Sequence, residues 1–173
     1  MSEQLPAADQ GATLLAIYDR AVPEIYGYLL PRCGSVALAE DLTAETFLAA
    51  VTAVKRHTVA HLTIAWLVGV ARHKLVDHWR RQGREERNLK LVHDEPTSEE
   101  DPWDERLDAA RAHAVLDRLG PHHRAALTLR YLDGLSVPEA ADLLGRGVHA
   151  TEALLVRARI AFRRAYEGGG DDA

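Results

Sequence analysis

The chain has 173 residues, 47% of them hydrophobic, which suffices for a core in one domain of ordinary size or in two small ones. Its 21 Lys and Arg stand against 26 Asp and Glu, a formal net charge of −5, which excludes a protein that coats nucleic acid indiscriminately. A single cysteine, Cys33, excludes an internal disulfide and a multi-cysteine zinc site, and the absence of an apolar run of roughly 18 residues or of a signal-peptide pattern predicts a cytoplasmic protein with no membrane insertion of its own.

Residues 1–12 are polar, without periodicity over most of their length, and are expected to form a disordered tail. From Thr13 the apolar residues Leu14, Leu15, Ile17, Tyr18, Val22, Ile25, Tyr26, Leu29 and Leu30 keep a helical period to Gly34, with Pro23 expected to kink or restart the helix. Ser35 is expected to cap a second helix, in which Leu38, Leu42, Thr46 and Ala49 form the buried stripe. Glu40, Asp41 and Glu45 lie outside it as an acidic ridge. Residues 55–62, with His57 and His61, read as a loop.

Thr63 caps a long helix whose packing face carries Ile64, Leu67, Val68, Ala71, Leu75, His78 and Trp79. Arg72, His73, Val76, Asp77, Arg80 and Arg84 are left towards the other face. Trp66 and Trp79 read as packing residues rather than stacking platforms. The segment that follows reverses sign. Asp94, Glu95, Glu99, Glu100, Asp101, Asp104 and Glu105 meet no basic residue before Arg106, and Pro96 and Pro102 fall among them. Residues 92–103 therefore read as an acidic flexible linker between domains at 13–91 and 104–167, and the fold class is all-α with two small helical domains.

The second domain opens with Leu107, Ala110, Val115 and Leu116, and Gly120-Pro121 ends one helix and starts the next. A mostly apolar run from His122 to Leu132 leads to a helix-turn-helix. Ser136 with Glu139 forms a capping box, Pro138 sits in the first turn, and Ala140, Ala141 and Leu144 face the core. Gly145-Arg146-Gly147 make the turn. In the second helix Val148, Thr151, Leu155, Ala158 and Phe162 form a buried stripe, leaving Arg157, Arg159, Arg163 and Arg164 on a face that can lie in a DNA groove. Residues 168–173 read as a flexible end.

Three blocks in this order resemble the extracytoplasmic-function sigma factors of the sigma-70 family of bacterial RNA polymerase. AEDLTAETFLAA (39–50) is similar to the family's region 2.2, AWLVGVARHKLVDHWRR (65–81) to regions 2.3 and 2.4, and residues 116–164 to region 4. The resemblance implies that Glu40, Asp41, Ala44, Glu45 and Leu48 bind core polymerase, through its beta-prime clamp. It implies minus-10 contacts from His57, His61, Arg72, His73, Lys74, Arg80 and Arg81. Minus-35 contacts would come from His149, Ala150, Glu152, Ala153, Arg157 and Arg159, with Glu152 and Leu154 standing where many members carry a basic residue. Core RNA polymerase (beta and beta-prime subunits), promoter DNA and an anti-sigma protein are the partners the family implies.

No nucleophile elbow, phosphate loop or carboxylate pair with a legible role is present, so the chain does not read as an enzyme. His57 and His61 are four apart but lie in a predicted loop, and His113, His122 and His123 are scattered and fix no third ligand at useful spacing, so neither a metal nor a cofactor is expected. Two other functions share the helix-turn-helix: a stand-alone DNA-binding regulator, and a sigma-like adaptor that does not open promoters.

Overall fold

A computed structural model describes residues 7–89 and 108–168. Among these, all regular structure is helical: α1 (Ala7–Cys33), α2 (Val36–Lys55), α3 (Ile64–Leu89), α4 (Ala109–Arg118), α5 (Pro121–Leu127), a π-helical turn (Thr128–Leu132), α6 (Val137–Leu144) and α7 (Val148–Gly168). The expected linker at 92–103 lies outside the described residues. Contacts divide the chain within α3, between Leu75 and Val76, into two compact units.

In the first unit α1 and α2 are joined by Gly34 and Ser35 alone and pack along their length as a helical hairpin. Gly34 has φ 67°, and Ser35 accepts from Leu38 N as the expected cap. Pro23 neither ends nor restarts α1, which runs through both Pro23 and Pro31. An interior proline costs about 3 kcal/mol. Ala21, Ile25, Leu29 and Cys33 form one fully buried row across it, and a buried Ile or Leu contributes about 1.5–3 kcal/mol each, so packing outweighs the breaker.

The helix also begins earlier than expected, at Ala7, so part of the anticipated tail is ordered. Buried Gln10 donates its side-chain amide to the carbonyl of Val59, which ties the first turn of α1 to the α2–α3 loop. On α2 the buried stripe is Ala39, Leu42, Thr43, Thr46, Ala50 and Val54, with Leu38 and Ala49 at its margin. Thr43 and Thr46 donate their hydroxyls to the carbonyls of Ala39 and Leu42, one turn back. Two buried polar groups are thereby satisfied within the helix. Val59, Leu62, Leu67, Ala71 and Leu75 complete this core.

The second unit holds the rest of α3 and the helices from α4 onward. Val76, expected on the outer face of α3, is 1% exposed and belongs to the packed face with Trp79. The core of α4, α5 and α7 gathers Val115, Leu116, Leu127, Ala158 and Phe162. Asp108 caps α4 by accepting from Arg111 N at 2.8 Å. The same end of α4 is clipped to the end of α7: Tyr166 stacks on Phe162, its hydroxyl accepts from Asp108 N at 3.1 Å, and the Arg111 guanidinium lies 4.3 Å from its ring centroid.

Candidate nucleic-acid interface

Helix α2 presents one exposed face on which Glu40, Asp41, Ala44 and Leu48 follow at three- and four-residue steps, continued by Val51. Leu48 is 67% exposed, an apolar side chain at the centre of a carboxylate-edged patch. Glu45 does not stand free on this ridge. It is half-buried and pairs with Lys74 of α3 at 3.6 Å, so one residue assigned to polymerase and one assigned to DNA neutralise each other.

The loop 56–63 is held from below by buried Val59 and Leu62, leaving His57 and His61 exposed. His57 takes φ 55°, a left-handed conformation uncommon outside glycine, immediately after the end of α2. Thr63 caps α3 by accepting from Trp66 N at 3.1 Å. Along α3, His73 and Arg80 share one row and Lys74 and Arg81 the adjacent one, since seven residues are close to two turns. Arg72 is half-buried, His73 and Arg81 are exposed, and Arg80 pairs with Asp77 at 3.7 Å.

The helix-turn-helix is built as its local chemistry requires. Ser136 Oγ accepts from Glu139 N at 3.3 Å while Glu139 Oε2 accepts from Ser136 N at 2.7 Å, the reciprocal pair of a capping box. Gly145 ends α6 at φ 63°, and of the two turn glycines it alone takes the left-handed conformation. Two residues of α7 lie on the opposite face from that expected. Val148 is 41% exposed, and Leu154, placed by resemblance at a basic position, is 3% exposed and fills the core beside Leu155. Val148 is in the first turn, ahead of the partner helices, whereas Leu154 follows buried Thr151 by three residues.

The exposed surface of α7's first turns is therefore Val148, His149, Ala150, Glu152 and Ala153. It is small and nearly neutral, with His149 Nδ1 3.2 Å from Glu152 Oε2. The arginines follow it: Arg157 and Arg159 are half-buried, and Arg159 donates to the hydroxyl of Tyr131 at 3.2 Å. Tyr131 belongs to the π-helical turn, which closes with Asp133 N donating to Thr128 O. A helix whose first turns are small and whose later turns are basic can enter a groove by its N-terminal end and hold phosphate with the rest.

Sequence patterning left out a second basic feature, in which all walls belong to the second unit. A cavity of about 390 Å³ is lined by Gly83 and Arg87 of α3, Pro121 and His122 of α5, Arg146 of the turn and Arg157 of α7. Arg87 Nη2 lies 2.9 Å from His122 Nε2. The approach depends on Gly83, where a Cβ would come within 2.4 Å of His122 Nε2. Burial, then the charges of Arg87, Arg146 and His123, lower the His122 pKa from 6.5 to about 4. Burial first, then Arg87, Arg157 and Arg80, also lowers that of Arg146. The one signal in the sequence was Gly83, a glycine amid a strong helical pattern.

Residues 17–85 match the Sigma-70 region 2 family and residues 109–162 match the Sigma-70, region 4 family. The chain is 37% identical over 147 residues to the ECF RNA polymerase sigma factor BldN of Streptomyces coelicolor, which covers 82% of this chain and 56% of that protein. It thus spans little more than half the length of that relative. It is 32% identical over 147 residues, 80% of each protein, to the ECF RNA polymerase sigma factor SigL of Mycobacterium tuberculosis. The sigma factor RpoE of Bartonella quintana, solved in complex with the anti-sigma factor NepR, has a similar fold. Its TM-score is 0.54 over 95% of this chain and 99% of that one, at 22% identity.

Proposed function

Because the chain belongs to the extracytoplasmic-function sigma factors of the sigma-70 family, we propose that it binds bacterial core RNA polymerase and directs it to promoters that it recognises and opens. The observation that carries this reading is the order of the two family matches, region 2 at 17–85 and region 4 at 109–162. They fall on the two structures the task requires, an acidic-apolar helix face and a helix-turn-helix.

Glu40, Asp41, Ala44 and Leu48 dock on the beta-prime subunit, with Leu48 as the apolar anchor and the carboxylates steering it to a basic surface. Glu45 acts one step removed, holding Lys74. The loop with His57 and His61 receives bases of the opened minus-10 strand, and Arg72, His73, Arg80 and Arg81 follow its backbone. Capture of an unstacked base offsets the few kcal/mol needed to extrude it, so recognition and melting share contacts. His149, Ala150, Glu152 and Ala153 meet the minus-35 groove and Arg157 and Arg159 its phosphates.

The functional domains are 13–91 and 104–167, with 92–103 as the linker that the sequence predicts. Polymerase supplies the chemistry and this chain none. No described helix is long and apolar enough to cross a membrane, in keeping with work in the cytoplasm. An anti-sigma protein, such as the one bound to the Bartonella quintana factor, would silence the chain by covering its polymerase-binding surface.

The test is transcription of fragmented genomic DNA by core polymerase lacking its own sigma, with and without this chain. Discrete new transcripts sharing two upstream elements are expected. Co-elution with core polymerase without such transcripts would overturn promoter recognition and leave an adaptor, and neither binding nor transcripts would leave a stand-alone DNA regulator.

A further inference from the structure

The cavity between α3's last turns, α5 and the helix-turn-helix is strongly basic. Three guanidiniums, Arg87, Arg146 and Arg157, share its wall with one carboxylate, the exposed Glu86, and with His122 and His123. The ion-paired carboxylates Glu45, Asp77, Asp117 and Glu152 have other partners, and none of them reaches these three arginines. The groups that act on Arg146 are all cations, and the imidazole beside Arg87 is held neutral by its surroundings. Like charges gathered in a partly dry recess repel each other, and an anion seated among them removes that repulsion.

The volume narrows the choice of anion. About 390 Å³ falls in the range of small-molecule pockets, which run from about 300 to 1,000 Å³. Two buried apolar residues, Pro121 and Leu154, form part of the wall, giving a surface for something other than phosphate alone. Guanidiniums take phosphate oxygens in pairs, and three of them converging from separate elements match an anion with two adjacent phosphates better than a lone one.

We propose that this cavity binds a diphosphate group, free or carried by a nucleotide, between Arg87 of α3, Arg146 of the turn and Arg157 of the recognition helix. A ligand seated there ties the helix-turn-helix to the end of α3 through charge. Where the promoter reading holds, it also competes with minus-35 phosphates for Arg157; this consequence alone rests on that reading. The binding itself needs neither polymerase nor promoter.

The experiment titrates the full chain with inorganic pyrophosphate, with ADP and with sodium chloride at matched ionic strength. Affinity is followed by calorimetry, and the His122 ring by NMR. Saturable binding of one pyrophosphate or one ADP is expected, with the His122 titration midpoint moved upward because the anion offsets its cationic neighbours. Arg146→Gln and Arg87→Gln should each weaken binding about tenfold or more, as loss of a charge-assisted hydrogen bond implies. Arg118→Gln, an exposed arginine of α4 outside the cavity, should not.

Tighter binding of ADP than of pyrophosphate identifies a nucleotide, and equal binding identifies the phosphoanhydride itself. Changes that follow ionic strength alone, equal affinity in Arg146→Gln and Arg118→Gln, or a wild-type His122 resonance that pyrophosphate leaves in place would each overturn the proposal. The wild-type resonance decides the matter even where a variant folds poorly. Failure of promoter-specific transcription would leave the result standing.

Discussion

At the scale of single residues the sharpest consequences come from groups whose surroundings oppose their ordinary state. His122 faces Arg87, Arg146 and His123, shares its cavity with Glu86 and Arg157, and has its pKa lowered to about 4, first by burial. The unfolded chain takes up this proton near pH 6.5 while the folded chain resists it until about pH 4. Its contribution to stability is therefore complete above pH 6.5 and is lost as pH falls from there towards 4. The ring proton resonances of His122 should titrate near pH 4, and Arg87→Ala should move the midpoint only part of the way to 6.5, because burial is the larger cause. The urea midpoint of the wild type should fall between pH 7 and pH 5, and that of His122→Asn should fall less. Gly145 opposes substitution for a different reason. At φ 63° an alanine costs about 1–2 kcal/mol, while its stiffening of the unfolded chain returns about 0.4–1 kcal/mol. The other neighbour a Cβ would meet, Arg80 Nη2 at 2.9 Å, is the movable tip of a long side chain. Gly145→Ala should thus lose about 1 kcal/mol in urea unfolding, and Gly145→Asn less, since asparagine enters this region more readily.

Whole elements obey the same local rules where their ends are short-range and escape them where packing is remote. The capping box of α6 was legible because Ser136 and Glu139 settle it between themselves. Ser136→Ala should remove about 1 kcal/mol, seen as a lower urea midpoint. Thr63 and Ser35 were legible for the same reason. The start of α1 was not, because Gln10 finds its partner in Val59, 49 residues away. Pro23 does not restart the helix because its cost is local and its compensation, the buried row from Ala21 to Cys33, is tertiary. Val76, Val148 and Leu154 changed faces because a stripe read from sequence is only as wide as one partner, and these helices meet several. On α2, periodicity located the exposed face correctly, and its apolar member can be tested alone. Leu48→Asp should abolish co-elution with core polymerase while leaving the thermal midpoint within the range of a change of about 0.5 kcal/mol, as Leu48 is 67% exposed.

For the molecule as a whole, the site residues read along single helices were legible as rows, whereas the cavity was not. Arg87, Arg146 and Arg157 are 59 and 11 residues apart in sequence and come together only when α3 and the helix-turn-helix are folded. The charge ledger of the chain poses the larger question of how a protein of net charge −5 holds a polyanion. The first turns of α7 are almost neutral, and Arg159 already donates to Tyr131, so under the proposed function the grip on phosphate falls to a few guanidiniums of α7. If three of Arg157, Arg159, Arg163 and Arg164 neutralise phosphates, the log of the binding constant should fall with log salt at a slope of about −2.7, from about −0.9 per contact. The full chain alone should bind a fluorescent minus-35 fragment weakly and with that slope between 50 and 300 mM salt, a range across which it implies a loss of affinity of about a hundredfold. Arg157→Gln should flatten the slope by about 0.9. On a fragment that carries both the minus-10 and the minus-35 elements, core polymerase should tighten binding by holding both DNA-facing regions at high effective concentration, and should steepen the slope as α3 adds its own phosphate contacts. A slope near zero for the full chain would mean that α7 does not meet DNA by its basic turns. An unchanged slope on adding polymerase would mean that Arg72, Arg80 and Arg81 take no part in the complex.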